Sequence, residues 1–205
     1  MTVVSEVANA LHHSGCLRFG DYRIKSGALS PYYIDIASLL GSPCDFLTIR
    51  DIISEKIREF RISENVDKLA SIELKGALLL PSIACRANLP CIVVRKERKT
   101  YGATGRTVGA DIVKGERLLF FDDVISEGLS KLEGMKVLEQ LGGKVENVMV
   151  VVDREQGGKE KLEKLGYRTC ALAKISELVS SLFQSSNISK EKADVVLDYI
   201  KSVHT

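Results

Sequence analysis

Short apolar runs that alternate with amphipathic segments most constrain the fold of this chain. Between residues 68 and 184, most runs rich in Val, Ile, Leu and Phe are followed by apolar residues at helical spacing. Such alternation is typical of a mostly parallel sheet covered by helices on both faces, so we predict an α/β fold. Ligands of such sheets bind beyond the carboxyl ends of the strands. The predicted strands are Lys68–Ile72, Cys91–Val94, Leu118–Phe121, Val145–Val152 and Arg168–Ala171.

The segments that flank this region complete the predicted fold. Aromatic and β-branched residues broken by turn signals over residues 16–36 predict short strands, and Ser42-Pro43 is a favourable helix start. No repeat or linker divides the chain, so we expect one domain over residues 1–205 with a small N-terminal appendage. The other predicted helices are 3–13, Ala77–Arg86, Gly128–Leu141, Gly158–Leu165, Ile175–Gln184 and Lys190–Val203.

The composition indicates a globular protein and argues against two classes of partner. Of the 205 residues, 45% are hydrophobic and 27% are charged, and the formal net charge of +2 is too small to indicate a nucleic-acid or membrane partner. The first residues lack the basic start and long apolar run of a signal peptide. Five cysteines without a C-x-x-C pair predict reduced thiols. We therefore expect a cytoplasmic protein.

Two adjacent carboxylates follow the strand Leu118–Phe121 and begin the segment that points most directly to chemistry. Asp122 and Asp123 are costly at the end of a buried strand unless something pairs with them, and the vicinal hydroxyls of a ribose are natural partners. The turn Ser126–Ser130 then opens a helix, where backbone N–H groups and the helix dipole can hold a phosphate. These two sites together describe a ribose 5-phosphate. The alternative is an acidic strand end that only caps a helix.

The string FFDDVISEGLS resembles the phosphoribosyl-diphosphate signature of the type I phosphoribosyltransferases. In that family the acidic pair binds the ribose hydroxyls and the following loop binds the 5-phosphate. Glu127 and Leu129 depart from the small residues usual in the loop, and Glu127 must point away from the phosphate to avoid charge repulsion. The resemblance implies the fold of that family and donor binding by Asp122, Asp123, Val124, Ile125, Ser126, Glu127, Gly128, Leu129 and Ser130.

Four cations lie among the five residues that follow the strand Cys91–Val94, ahead of a glycine-rich stretch. This placement fits a lid that closes over an anion and stabilises a leaving diphosphate, whereas a solvated surface is the alternative. The layout resembles the R-K-x-x-K-x-H-G motif of the orotate phosphoribosyltransferases, with a tyrosine at the usual His position. The resemblance implies a lid over about residues 97–111 that acts in the partner subunit's site of a homodimer. It also implies diphosphate binding by Arg95, Lys96, Lys99 and Tyr101.

The N-terminal appendage resembles the base-binding hood of the same subfamily. The string K-S-G-A-L-S-P-Y-Y of residues 25–33 matches its K-S-G-x-x-S-P-Y-F/Y segment. The resemblance implies that Lys25 approaches the reaction centre, that Tyr32 and Tyr33 lie at the base, and that the hood covers about residues 1–40. An ordinary β-hairpin with aromatic core residues is compatible with these roles.

Two further basic residues follow predicted strands. Lys75, in the sequence L-K-G, corresponds to the diphosphate-binding loop of the subfamily, often Y-K-G. Arg154 lies in a V-D-R-x-x-G match and, by resemblance, recognises the orotate ring; its planar guanidinium suits a carboxylate or paired carbonyl oxygens. A surface lysine and a surface arginine paired with Asp153 are the alternatives.

The resemblance implies transfer of the 5-phosphoribosyl group from phosphoribosyl diphosphate to orotate in pyrimidine nucleotide synthesis. Mg²⁺ is the expected cofactor, held mainly by substrate oxygens and water. A phosphoribosyltransferase for a purine, a regulator of the same fold that binds the donor without turnover, and a noncatalytic nucleotide-binding module stay open as alternatives. The predicted catalytic residues are Lys99, Lys25, Asp122 and Asp123. The predicted orotate-binding residues are Lys25, Tyr32, Tyr33, Ser126 and Arg154.

Overall fold

The computed structural model describes residues 2–24, 27–99 and 105–203, and within these ranges a six-stranded sheet forms the centre of the fold. The strand order is β5-β4-β3-β6-β7-β8; only the edge strand β5 is antiparallel to its neighbour among these described strands. The parallel strands bring their carboxyl ends to one edge. The strands are β3 (Lys68–Ile72), β4 (Cys91–Lys99), β5 (Gly105–Gly109), β6 (Arg117–Ile125), β7 (Lys144–Asp153) and β8 (Arg168–Lys174).

Helices cover both faces of this sheet. The described helices are α1 (Val3–His13), α2 (Pro43–Glu64), α3 (Lys75–Ala87), α4 (Leu129–Gln140), α5 (Gly158–Lys164), α6 (Ile175–Gln184) and α7 (Lys190–Val203). In the part of the chain that the structure describes, none of them is long and apolar enough to cross a membrane.

Strand β6 shows how the sequence divides the core between the two faces. Successive side chains of a strand point to opposite faces, so Leu119 and Phe121 pack with α1, α2, α3, α6 and α7. Leu118 and Phe120 pack on the other face with α4 and α5. Because both faces are covered, all four side chains are buried, and β6 carries the polar residues at its end into the centre of the molecule.

A two-stranded antiparallel hairpin, β1 (Leu17–Arg23) and β2 (Leu29–Ile34), lies outside the main sheet. A 3₁₀ helix, Ile36–Gly41, connects it to α2, whose first residue is Pro43. The fully buried ring of Tyr32 in β2 meets Tyr199 of α7 edge-on, with 6.0 Å between ring centroids. The last helix of the chain therefore supports the hairpin.

The predicted α/β architecture is confirmed, and its largest departures lie at the ends of strands. The structure extends β4 from the predicted end at Val94 to Lys99 and adds β5, so strands occupy part of the predicted lid span 97–111. Side chains on an edge pair can point to solvent while the backbone keeps its ladder, so a run of charges does not end the strand. The lid hypothesis now concerns the connection between these strands, which lies outside the described residues.

Candidate active site

The acidic pair lies at the carboxyl end of β6. Asp122 and Asp123 are 5% and 8% exposed, so both carboxyl groups are largely removed from water. Nζ of Lys131 in α4 lies 2.7 Å from Oδ2 of Asp122, and the backbone N–H of Asp123 donates to Oδ1 over 2.9 Å. Gly76, in the first turn of α3, also packs here, since a Cβ atom on it would lie 2.8 Å from the Asp122 Cα. The buried Lys131 therefore compensates the Asp122 charge, and the start of α3 packs closely against it.

Asp123 is the less compensated member of the pair. Burial is the main cause that raises the pKa of its carboxyl to about 7, and the charge of Asp122 adds to the effect. Lys131 and the backbone N–H of Val124 act in the opposite direction and lower this pKa. A hydroxyl group of a ligand that donates to Asp123 would favour its ionised form. The pair is therefore suited to bind vicinal hydroxyls near neutral pH.

The turn between β6 and α4 presents backbone N–H groups to solvent. The helix begins at Leu129 after Gly128, whose φ is 77°, and no side chain in the described ranges caps this N-terminus by a hydrogen bond. Glu127, Leu129 and Ser130 are exposed. Ile125 is fully buried, so only its backbone could face a ligand. The turn thus has the uncapped N–H groups that an anion needs, and the carboxylate of Glu127 lies in solvent.

Arg154 follows β7 and contacts both the turn between β6 and α4 and the N-terminal hairpin. Its backbone N–H donates to the carbonyl of Ile125 over 2.9 Å, which holds the ends of β6 and β7 together. Its guanidinium donates to Oγ of Ser126 over 3.3 Å and to the hydroxyl of Tyr32 over 3.4 Å. The guanidinium carbon lies 5.2 Å from the Tyr32 ring centroid, within cation–π range. Tyr32 is fully buried, so in this conformation it reaches the site only through Arg154.

Glycines bring the loops after β6 and β7 into close contact. A Cβ atom on Gly158 would lie 2.8 Å from the carbonyl carbon of Ser126, and one on Gly128 would lie 3.4 Å from the Gly158 oxygen. Gly157, with a φ of 79°, allows the sharp turn into α5. The two glycines after Arg154 therefore fix its loop against the Ser126 turn.

Lys75, at the start of α3, contacts the N-terminal hairpin region. Its Nζ lies 3.0 Å from Oδ1 of Asp35 and 5.9 Å from the ring centroid of Tyr33. Burial lowers the pKa of Lys75, but the hydrogen bond and charge of Asp35 outweigh burial, so the pKa is raised overall. Tyr33 is 39% exposed and stacks on Tyr22 with 5.4 Å between centroids. A protonated lysine thus lies beside a partly exposed aromatic pair.

The basic segment on β4 is more exposed than the acidic pair. Lys96 is exposed, and its backbone N–H donates to Glu73 over 2.6 Å. Arg106 on β5 donates to the carbonyl oxygens of Arg95 and Lys96 over 3.2 and 2.8 Å. The same guanidinium pairs with Glu133 of α4 at 2.7 Å. Arg106 therefore ties β5 to β4 and to the helix behind the acidic pair.

Three predicted site residues lie wholly or partly outside what the structure describes. Lys25 and Tyr101 fall between the described ranges, and for Lys99 only the backbone, at the end of β4, is described. Their assigned roles stay predictions.

The structure adds site neighbours that the motifs did not predict, and the most informative is Lys131. It shares one helix face with Met135 and Leu138, at spacings of four and seven residues, and all three are buried. A lysine on an otherwise apolar helix face was therefore a readable signal of a buried ion pair. Asp35 and Tyr22 carried no comparable signal, because their contacts depend on how the hairpin docks.

A family profile described as "Phosphoribosyl transferase domain" matches residues 38–195 of the chain. The orotate phosphoribosyltransferase of Pyrococcus horikoshii is 36% identical over 193 residues, which cover 94% of this chain and 100% of that protein. Among solved structures, UMP synthase of Leishmania donovani aligns with a TM-score of 0.86 at 29% identity, covering 98% of this chain and 43% of that one. Orotate phosphoribosyltransferase of Aeropyrum pernix aligns with a TM-score of 0.74 at 28% identity, covering 89% of this chain and 99% of the other.

Proposed function

Because the chain belongs to the phosphoribosyltransferase family, we propose that it transfers the 5-phosphoribosyl group of phosphoribosyl diphosphate to N1 of orotate. The products are orotidine 5′-phosphate and diphosphate, in the synthesis of UMP. One observation carries the proposal: the buried pair Asp122-Asp123, the Ser126 turn and Arg154 lie at neighbouring strand ends, and Arg154 contacts Ser126. A diol site, an anion site and a cation for an anionic acceptor thus adjoin one another.

The donor is assigned to the end of β6 and the turn after it. The acidic pair accepts hydrogen bonds from the ribose hydroxyls, and the N-terminus of α4 receives the 5-phosphate. The buried position of Ile125 and the partly buried position of Val124 support backbone contacts for these two residues. The residues assigned to the ribose phosphate are Asp122, Asp123, Val124, Ile125, Ser126, Glu127, Gly128, Leu129 and Ser130.

The diphosphate is assigned to cations at the ends of β3 and β4. Lys75 must exchange its contact with Asp35 for the diphosphate, which its raised pKa permits because it stays charged. Lys99 and Tyr101 would complete the grip from the lid, with Lys99 as the main catalytic lysine. The residues assigned to the diphosphate are Lys75, Arg95, Lys96, Lys99 and Tyr101.

The acceptor is assigned to the space between the hairpin and the end of β7. Arg154 pairs with the orotate carboxylate or carbonyl oxygens, supported by its contacts with Ser126 and Tyr32. Because Tyr32 is fully buried, we assign it to hold Arg154, while the partly exposed Tyr33 offers a surface to the base. Lys25 would approach the reaction centre.

The reaction needs no nucleophile from the protein, because orotate supplies its own nucleophilic nitrogen. The protein aligns donor and acceptor and stabilises the charges that develop on the ribose and on the leaving diphosphate. Mg²⁺ would neutralise the diphosphate and be held mainly by substrate oxygens and water. The described residues contain no group of three His, Cys, Asp or Glu side chains that could hold a metal ion, and Mg²⁺ commonly keeps several waters and binds substrate phosphates.

The wider organisation belongs to the same proposal. We propose a single domain over residues 1–205, with a hood of about residues 1–40 and a lid within about residues 97–111 that acts in the partner subunit of a homodimer. We also propose a cytoplasmic location, and neither nucleic acid nor a membrane as a partner.

The direct test mixes the protein with Mg²⁺, phosphoribosyl diphosphate and orotate and follows the loss of orotate absorbance. We expect turnover that depends on both substrates. Turnover with a purine base but none with orotate would overturn the acceptor assignment. Donor binding without turnover on any base would instead favour a regulator.

The proposed action of the lid in trans has its own test. Lys99→Ala and the Asp122→Ala/Asp123→Ala double variant are each expected to be inactive. Mixed under conditions that exchange subunits, they should recover part of the activity, because one site of a heterodimer then keeps both sets of residues. No recovery, once heterodimers are demonstrated, would contradict a lid that acts in the partner's site.

A further inference from the structure

The ion pair between Lys131 and Asp122 is the most deeply buried one between side chains in the described part of the chain. The lysine is 3% exposed, so its side chain offers almost no surface to a bound substrate. Burying two charges costs several kcal/mol, and apolar residues of similar volume are often at least as stable. Because stability alone is a weak reason for this pair, its position beside the donor site suggests a functional one.

The contacts of the two aspartates divide the pair into unequal members. Asp122 uses Oδ2 for Lys131 and Oδ1 for the backbone N–H of Asp123. Gly76 packs against the same carboxylate, which leaves it little room for a ligand. By contrast, no described cation is ion-paired with the carboxylate of Asp123, which the side chain of Asp122 and the backbone N–H of Val124 approach within hydrogen-bonding range. Asp123 therefore keeps lone pairs available for a ligand.

We propose that Lys131 is a positioning residue for the donor: it holds Asp122 as a fixed internal anion, and Asp123 alone receives the ribose hydroxyls. This inference rests on the proposed function and refines it, because the family resemblance assigns ribose binding to both aspartates equally. The charge of Lys131 offsets that of Asp122, so Asp123 can ionise in a buried site without two uncompensated carboxylates side by side.

Three charged groups face Asp123 and set the pH range in which it is ionised. Asp122 lies beside it in β6, Lys131 approaches from α4, and Lys75 at the start of α3 also interacts with it electrostatically. The anionic neighbour raises the pKa of Asp123, whereas Lys131 lowers it. Removal of the Lys131 charge should raise that pKa further, and removal of the Asp122 charge should lower it.

The test measures KM for phosphoribosyl diphosphate and kcat from pH 5.5 to 9.5 in four variants. Lys131→Met should displace the fall in KM upward by about one pH unit, so that KM is about fivefold higher at pH 7 and recovers at pH 9. Asp122→Asn should displace the profile downward. Lys131→Arg, which keeps the charge, should retain the parent profile, and Lys136→Met removes an exposed lysine of the same helix as the matched control.

A merely structural role of Lys131 would not make Lys131→Met and Asp122→Asn displace the KM profile in opposite directions. The proposal is overturned if Lys131→Met and Lys136→Met give the same profile. It is also overturned if Asp122→Asn raises KM equally at every pH, because Asp122 would then bind the ribose itself.

If Lys131→Met does not fold, the Asp122→Asn/Lys131→Met double variant, which leaves no unpaired charge, replaces it. The KM profile of the double variant should lie closer to the parent profile than that of Asp122→Asn does. If the double variant and Asp122→Asn give the same profile, the proposal is overturned.

Calorimetric binding of phosphoribosyl diphosphate separates this inference from the proposed function. Its Kd should follow the same displacements in the same variants without any acceptor present. Failure of turnover with orotate would therefore contradict the proposed function, while the binding series would still decide the role of Lys131.

Discussion

The carboxyl ends of β6 and β4, which lie on either side of β3, carry opposite charges. The two ends differ in how far these charges are buried. At the end of β6, Asp122 and Asp123 are buried, and Lys131 compensates one of them inside the protein. On β4, Lys96 is exposed, and it is held through its backbone N–H. The acidic end therefore bears a desolvation cost during folding, whereas the basic end leaves its lysine in water.

This difference predicts two kinds of response to substitution. Changes at the acidic end should alter stability and donor binding together, because the same buried charges serve both. Changes at the basic end should alter turnover with little effect on stability, since exposed charges contribute little to folding. The contrast would fail if either end behaved like the other.

The largest expected effect lies at the basic end. Lys99→Ala should lower kcat about 1000-fold, because the charge that stabilises the leaving diphosphate acts mainly in the transition state. Steady-state kinetics and thermal unfolding should be measured together, with the exposed Lys114→Ala as the control. If the melting temperature falls markedly together with turnover, this lysine supports the fold. Nearly normal turnover would remove it from the proposed mechanism.

At the acidic end, Asp123→Asn should strengthen the fold and weaken donor binding. The folded-state pKa of about 7 is above the ordinary aspartate pKa of 3.8, so the parent protein loses stability as pH rises from about 4 to 7. Asparagine has no charge to desolvate, so the variant should be more stable at pH 8 by about 2 kcal/mol, part of the roughly 4 kcal/mol that the whole shift represents.

Urea unfolding of both proteins at pH 5 and pH 8 measures this effect. The stability gain should be small at pH 5, where Asp123 of the parent is protonated. An equal gain at both pH values would contradict a buried titrating carboxyl, and unchanged affinity for the donor would contradict its role in ribose binding.

A smaller effect is expected where α3 packs against the acidic pair. Gly76→Ala would place a methyl group against Asp122 and should lower the free energy of unfolding by about 1–2 kcal/mol and raise KM for the donor. Gly41→Ala is the matched control, because nothing lies within 4 Å of the added methyl group and its φ is not positive. If the two variants unfold alike, the close approach of α3 to Asp122 does not constrain the site.

The sequence predicted most of the elements on which this contrast stands. Strand–helix alternation predicted the parallel sheet. Asp122 lies near the end of β6, while Arg154 and Lys75 follow β7 and β3, so their meeting at one sheet edge follows from topology. Pairing across the fold could not be predicted in this way. Contacts such as Lys75 with Asp35 depend on how the hairpin docks, and no local periodicity specifies that docking.

The ends of strands could not be predicted from hydrophobic patterns either. The apolar run that predicts β6 ends at Phe121, yet the strand continues to Ile125 because the ladder with β7 is formed by the backbone and includes Asp122 opposite Val150. The same reason lengthens β4 through its charged residues. Hydrophobic patterns therefore locate a strand by its buried part and miss the polar part, which in this fold carries the site.

The smallest effect is expected from a change at Tyr32, which acts through Arg154. Arg154 combines features of both ends, since it is charged and only partly buried. Its guanidinium donates to the hydroxyl of Tyr32 over 3.4 Å, a long contact that should contribute less than about 1 kcal/mol. Tyr32→Phe should therefore raise KM for orotate about two- to threefold and leave KM for the donor unchanged. Tyr199→Phe removes the hydroxyl of the ring that meets Tyr32 edge-on and serves as the control. A rise in KM for both substrates would place Tyr32 with the acidic end, because it would then support the whole site rather than the orientation of one cation.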